Sequence, residues 1–357
     1  MEAIAGHLPR LSVTRRDVIA RGTLAVGGLA TTRSALAADP DIIVVSKNDT
    51  GIMAVGSALE QAAWRTGPVT IAIRPGVYRE KLHVTVPDVT LVATGPGVVL
   101  TYAAAAGLAR PDGGKWGTGG SATLTVEAPG VTLRGLTIRN DFDYLADTLT
   151  HASGGAQAVA LSIARGADRT AVEDCAIEGY QDTLYVSSRA RFRRCRIAGG
   201  VDFIFGGAAA LFQDCTIVTR HVPGAIEQGF IAAPSTLAAQ RFGLVFNGCN
   251  VTREAGVPDG STWLGRPWRA GGNMAILGAA AFLRCRLDGH IKREGWTAMG
   301  FTDPAGIRRM LEPTEARLFE WKSTGPGAGD PLPGRRRLTD AEAAAFTQGA
   351  ILQGWVP

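Results

Sequence analysis

The sequence predicts an all-β protein built as a right-handed parallel β-helix, a solenoid with short capping helices. Three observations lead there. Each of five cysteines sits in the same local frame: Asp174-Cys175-Ala176-Ile177, Arg194-Cys195-Arg196-Ile197, Asp214-Cys215-Thr216-Ile217, Gly248-Cys249-Asn250-Val251 and Arg284-Cys285-Arg286-Leu287. The first three frames recur every 20 residues, and the later gaps are 34 and 36 residues. A short apolar strand returning at a fixed step marks stacked coils. Third, short β-branched runs bounded by Gly, Pro and Asp dominate the chain, such as Val69–Ile73, Val89–Val92, Ala122–Val126 and Leu136–Ile138. A propeller blade needs about 40 residues, so the 20-residue step excludes that architecture. The hand follows from the crossover rule for parallel strands.

The elements follow in chain order. Residues 1–37 read as an export signal. Arg15-Arg16 precedes an apolar run from Gly22 to Ala30, and Ala35-Leu36-Ala37 offers a small-x-small cleavage pattern. The paired arginines point to the twin-arginine route of a bacterium, and so to a secreted or periplasmic protein. The apolar run falls short of the ~20 residues a membrane span requires. Residues 38–357 form the remaining single domain, with no Ser/Pro-rich linker to divide it. From Met53 to Trp64, Val55, Leu59, Ala62 and Ala63 keep helical spacing, which predicts a helix over the open end of the solenoid. Near the C-terminus, Thr339-Asp340-Ala341-Glu342 reads as a capping box that starts a second helix. Gly325 to Arg337 is rich in Gly, Pro and Arg and reads as surface coil.

Composition narrows the function. The chain is 46% hydrophobic with 46 glycines, enough for a packed core with many tight turns. Residues 1–37 carry +3 of the formal +5, so the rest of the chain is close to +2. That is weak support for a nucleic-acid partner, and none is expected. The five histidines show no metal-ligand spacing, and no Gly-x-Ser-x-Gly elbow or Gly-rich phosphate loop occurs. No metal or organic cofactor is expected. Export permits a disulfide. Stacked residues on neighbouring strands lie roughly 4.8 Å apart, inside the Cα range of a bridge. On this argument Cys195–Cys215 is the expected pair, with Cys175–Cys195 its geometric equal.

Two aspartates keep the cysteine step: Asp182 and Asp202 lie 20 residues apart. Stacked coils then place two carboxylates side by side. Desolvation between Val201 and Phe203 raises the pKa of Asp202 unless a cation holds it ionised, and Arg266 is the candidate cation, able to grip both oxygens. An ionised, partly dry carboxylate can act as a nucleophile. The like charge one coil away pushes Asp182 toward its protonated form, suited to general acid and then base work. Gln157 and Gln181 carry N–H donors suited to an oxyanion. Alone, each of these residues has a structural reading: a turn aspartate, a salt bridge, an amide ladder.

Three segments combine these groups: Gly179-Tyr180-Gln181-Asp182-Thr183-Leu184-Tyr185, Gly200-Val201-Asp202-Phe203-Ile204-Phe205-Gly206 and Trp263-Leu264-Gly265-Arg266-Pro267-Trp268. They closely resemble the signature motifs of the pectin methylesterases, or pectinesterases. Arg74-Pro75-Gly76-Val77-Tyr78-Arg79-Glu80, Gln157-Ala158-Val159-Ala160-Leu161, Gly229–Thr236 and Gly289–Trp296 fall in that family's order, and the Ala-Pro-Ser-Thr stretch resembles its bacterial branch. The resemblance covers about residues 40–357. It implies Asp202 as nucleophile, Asp182 as acid and base, Arg266 as partner of Asp202, and Gln157 and Gln181 as anion hole. It further implies that Phe205, Trp268 and Tyr185 line a sugar groove. The substrate implied is methyl-esterified galacturonate in pectin, taken by a monomer without a membrane or nucleic-acid partner. Ser162 departs from the larger or basic residue common in relatives, which bears on the outer groove. A same-fold thioesterase acting on acyl-CoA and a non-catalytic polysaccharide binder are the alternatives. The groove aromatics weigh against the first, and the retained Asp and Arg against the second.

Overall fold

A computed structural model describes residues 42–48 and 50–357. The expected export segment lies outside the described residues. The chain winds so that each central coil adds one strand to each of three sheets, which hold 11, 8 and 7 strands. One coil runs Thr170–Glu173, Ala176–Glu178 and Leu184–Val186; the next runs Ala190–Arg193, Arg196–Gly199 and Ile204–Gly206. Neighbours pair in parallel, and the register carries the 20-residue step: Ala190 faces Ala210, Ile177 faces Ile197, Ile197 faces Ile217, and Leu184 faces Ile204. This is the expected right-handed parallel β-helix.

The core is a set of columns. Phe192, Phe212, Phe246 and Phe282 stack with ring centroids 4.6, 4.6 and 4.3 Å apart. The frame residues explain the sharp turn between a coil's first two strands. Asp174, Arg194, Asp214, Gly248 and Arg284 all take positive φ, between 52° and 67°. Gly and Asp enter this left-handed region most easily. At Arg194 the cost is offset by a two-bond pair with Asp174 one coil earlier, at 2.7 and 2.6 Å.

The next residue in each frame is the cysteine, and here the structure corrects an expectation. All five cysteines are free and buried, so neither Cys195–Cys215 nor Cys175–Cys195 is bridged. Cys195, Cys215, Cys249 and Cys285 each direct Sγ at a carbonyl of the preceding coil: Val172, Phe192, Phe212 and Phe246, at 3.4 to 3.5 Å. In-register side chains on parallel strands point the same way. Their Cβ atoms keep the strand spacing of ~4.8 Å, wider than the ~3.8 Å a disulfide favours. Burial pushes the Cys175 and Cys249 thiols up, which keeps them as inert packing groups.

The helix Val55–Ala62 packs Val55, Ala58, Leu59 and Ala62 into the core as its spacing predicts. Its open N-terminus is capped from a distance: Glu80 accepts from Val55 N–H at 3.0 Å and Gly56 N–H at 2.8 Å. The capping box at Thr339 and Glu342 is present at the start of helix Asp340–Ala343. That helix and Gln348–Ile351 cover the outer face of the 11-stranded sheet over Leu211, Val245, Ala281 and Leu283. They shield an apolar face rather than an open end. The segment read as surface coil is likewise only partly so. Arg335 is fully buried and spends all five N–H groups, two of them on Glu320 at 2.7 and 3.0 Å. Among the described residues no helix is long and apolar enough to cross a membrane.

Candidate active site

The turns that lead into the 7-stranded sheet build the site. Leu184 pairs with Ile204, so Asp182 and Asp202, each two residues earlier, occupy one column on adjacent coils. Asp182 N–H donates to the Val201 carbonyl at 3.0 Å. Both aspartates take left-handed backbone, with φ of 60° and 49°. Aspartate is among the few residues with a side chain that tolerate this conformation, and such strain concentrates at functional sites. Three residues before each lies a glycine. A Cβ on Gly179 would stand 2.8 Å from Thr183 Oγ1, and one on Gly199 only 2.2 Å from the Phe203 Cβ. Each turn therefore folds tightly against the residue that follows its aspartate.

Arg266 follows strand Thr262–Gly265 and reaches Asp202 with two hydrogen bonds, Nε to Oδ1 at 2.9 Å and Nη2 to Oδ2 at 2.7 Å. Asp202 is only 8% exposed. Burial raises its pKa above the usual carboxylate value, and the Arg266 guanidinium offsets only part of that rise. Asp182 is pushed well above the usual carboxylate range, first by burial and then by the Asp202 carboxylate, with Arg266 opposing. Of the two, Asp182 is pushed further toward its protonated form.

These groups open into one cavity of about 300 Å³, lined by Thr118, Gln157, Gln181, Asp182, Asp202, Phe205, Ala233, Arg266, Trp268 and Met299. Gln157 and Gln181 are fixed through their backbones: the Gln157 carbonyl accepts from Ala106 N–H at 2.8 Å, and the Gln181 carbonyl from Ala158 N–H at 3.0 Å. Their amide groups make no hydrogen bond to protein among the described residues, so their donors are free for a ligand. Trp268 and Phe205 form an aromatic wall, centroids 5.9 Å apart. Tyr185 packs on Phe205 at 4.9 Å but stands one rung outside the cavity lining. Ser162 follows Tyr185 in register on the same sheet and is buried, so the aromatic wall stops there.

The structure thus gathers every sequence-predicted catalytic residue into one cavity, with two of the three predicted groove aromatics. It adds groups the sequence reading missed. Thr118 and Met299 arrive from segments outside the coil register. Asn140 is buried, and its Nδ2 donates to the carbonyls of Ala104, Ser121 and Val159 at 2.9, 3.1 and 2.9 Å, tying together three segments behind Gln157. An asparagine closing the short strand Thr137–Asn140 was its available signal. His290 sits in a motif segment but away from the cavity lining. Its Nε2 lies 3.1 Å from Thr219 Oγ1, and burial pushes its pKa down to about 4, leaving a neutral structural imidazole.

Comparison with known proteins identifies the family. The family model described as Pectinesterase matches residues 41–354. Pectinesterase A of Dickeya chrysanthemi is 39% identical, over 94% of this chain and 98% of the relative. A pectin methylesterase structure from Yersinia enterocolitica is 38% identical, covers 86% of this chain and 100% of its own, and superposes with a TM-score of 0.83. A crystal structure of pectin methylesterase in complex with a hexasaccharide gives the same TM-score at 39% identity, over 88% of this chain and 97% of its own. With a matching model along nearly the whole solenoid, and close relatives that share its length and its coils, the chain belongs to the pectinesterase family.

Proposed function

We propose that this pectinesterase demethylates the methyl-esterified galacturonate of pectin by covalent catalysis on Asp202. The observation that carries the reading is the two-bond grip of Arg266 on Asp202 beside the more readily protonated Asp182 in one cavity. Asp202 attacks the ester carbonyl carbon, and the carbonyl π electrons move onto oxygen. The free amide N–H groups of Gln157 and Gln181 stabilise that oxyanion. The carbonyl re-forms, the bond to methoxide breaks, and Asp182 gives the leaving oxygen its proton. The anhydride left on Asp202 is cleaved by water, whose proton returns to Asp182. These steps use side chains of this chain and one water. The Phe205–Trp268 wall supports a sugar substrate, since pyranose faces stack on aromatic rings, and the related enzyme with a bound hexasaccharide supports a groove for several units. Export of the chain, with action outside the cytoplasm, completes the reading and rests on the Arg15-Arg16 pair, the apolar run and Ala35-Leu36-Ala37.

The test is methanol release from highly methylated pectin, wild type beside Asp202→Ala. The variant is expected to lose turnover while keeping its fold. Turnover near wild type would remove Asp202 from the chemistry.

A further inference from the structure

Arg266 does not approach Asp202 across open space. Arg266 sits at the end of strand Thr262–Gly265, and Asp202 precedes strand Ile204–Gly206; strand Gly229–Pro234 lies between them. The two backbones are two strand spacings apart, roughly 10 Å, and Gly265 pairs with Ala232 and so lines up with Ile204, so the Arg266 side chain reaches back diagonally over the intervening coil to Asp202. Ile204 pairs with Ala232, so the residue beside Asp202 on the intervening coil is Phe230. The column that reads Asp182, Asp202 continues with an aromatic ring. Phe230 is 9% exposed, and the Arg266 guanidinium carbon stands 3.8 Å from its ring centroid.

We propose that Phe230 is a positioning residue for the esterase reaction: its ring face carries the Arg266 guanidinium at the height and tilt where two N–H bonds reach Asp202. The inference rests on the reading of Asp202 as nucleophile. An aromatic face is electron-rich and attracts a cation most strongly where water is excluded. It also offers no lone-pair acceptor, and its weak π acceptance competes little, so it supports the guanidinium without drawing N–H groups away from Asp202. A carboxylate on this rung would compete for those donors. A small aliphatic residue would leave a gap into which the guanidinium can tilt and water can enter. The charged groups that bear on Asp202 are Arg266 from the coils above and Asp182 from the coil below. A looser guanidinium leaves Asp202 facing Asp182 with less compensation.

The experiment replaces Phe230 with pentafluorophenylalanine, which keeps the shape of the ring and reverses the charge distribution of its face; Phe230→Leu removes the ring. Turnover of methyl-esterified pectin is followed across pH, with Asp202→Ala in parallel. Fluorination is expected to lower kcat about tenfold with KM within about twofold. The acid limb of kcat/KM should move to higher pH, because a weaker cation holds the Asp202 carboxylate ionised less firmly. A fluorinated enzyme with wild-type kcat and an unmoved acid limb would show that the ring only fills space, and the inference falls. Should Phe230→Leu fail to fold, the isosteric fluorinated protein still decides. If Asp202→Ala keeps wild-type turnover, the nucleophile reading fails and takes this inference with it. If Asp202→Ala is dead and fluorination is silent, the inference alone fails.

Discussion

Adding one methyl group at Gly199 tests whether the aspartate turns are as tightly built as their geometry indicates. Gly199 and Gly179 are equivalent positions on adjacent coils, each three residues before a site aspartate. Their surroundings differ. A Cβ on Gly179 meets the Thr183 side chain at 2.8 to 3.3 Å, which a rotation about χ1 relieves in part. A Cβ on Gly199 meets the Phe203 Cβ at 2.2 Å, the Phe203 Cγ at 2.5 Å and Thr183 Oγ1 at 2.8 Å. The Cβ of Phe203 is fixed to the backbone next to Asp202, so no rotamer change moves it. Ordinary contact begins at 3.4 Å, so Gly199→Ala requires the Asp202–Phe203 backbone to yield by more than 1 Å. Overpacking of this kind costs about 1–3 kcal/mol of stability. That corresponds to a fall in Tm of several degrees, at roughly 2–4 °C per kcal/mol for large domains. A displacement of about 1 Å at a reacting group typically costs 10²-fold in rate. Gly199→Ala is thus expected to lose about 10²-fold in kcat while unfolding cooperatively, and Gly179→Ala is expected to lose markedly less. Methanol release and thermal unfolding measure the two effects separately. Gly199→Ala with kcat within twofold of wild type would refute the claim that this turn sets the position of Asp202.

Three further outcomes follow from the same geometry. Arg266→Lys keeps the charge but not the fork that holds both Asp202 oxygens, so kcat should fall about 10²-fold or more with KM little changed; near-normal kcat in a folded variant would reduce Arg266 to a neutralising charge. Asp182→Asn should abolish turnover yet raise thermal stability at pH 7. The folded pKa of Asp182 lies above its unfolded value near 3.9, so its favourable contribution is present below about pH 4 and is lost as pH rises through the folded value. Calorimetry should find the variant's advantage closing toward pH 4, and an advantage that grows toward acid pH would contradict the assignment. Arg335→Ala leaves Glu320 buried without its cation, and urea unfolding should register a loss of about 3–5 kcal/mol; a loss below 1 kcal/mol would show that the buried pair contributes little to the fold.

What was legible in the sequence was whatever the coil register repeats. Asp182 and Asp202 could be paired from spacing alone, because strand pairing carries the step of the cysteine frames into the next turn. Helix Val55–Ala62 and the capping box at Thr339 were legible because their signals are local. Thr118 and Met299 were not, since they come from a short helix and an antiparallel hairpin between coils, outside the coil register. Arg335 was misread for a related reason: a Gly- and Pro-rich stretch reads as surface, and only its distant partner Glu320 reveals that it is buried. The disulfide shows where the register argument ends. Register fixes which residues stand side by side, and it also makes their side chains parallel. A carboxylate pair needs only proximity, because charge acts through space. A disulfide needs two Cβ atoms to converge, and a ladder of identical coils withholds that convergence. The same step of 20 residues thus licensed Asp182 beside Asp202 and gave no licence to Cys195 bonded to Cys215.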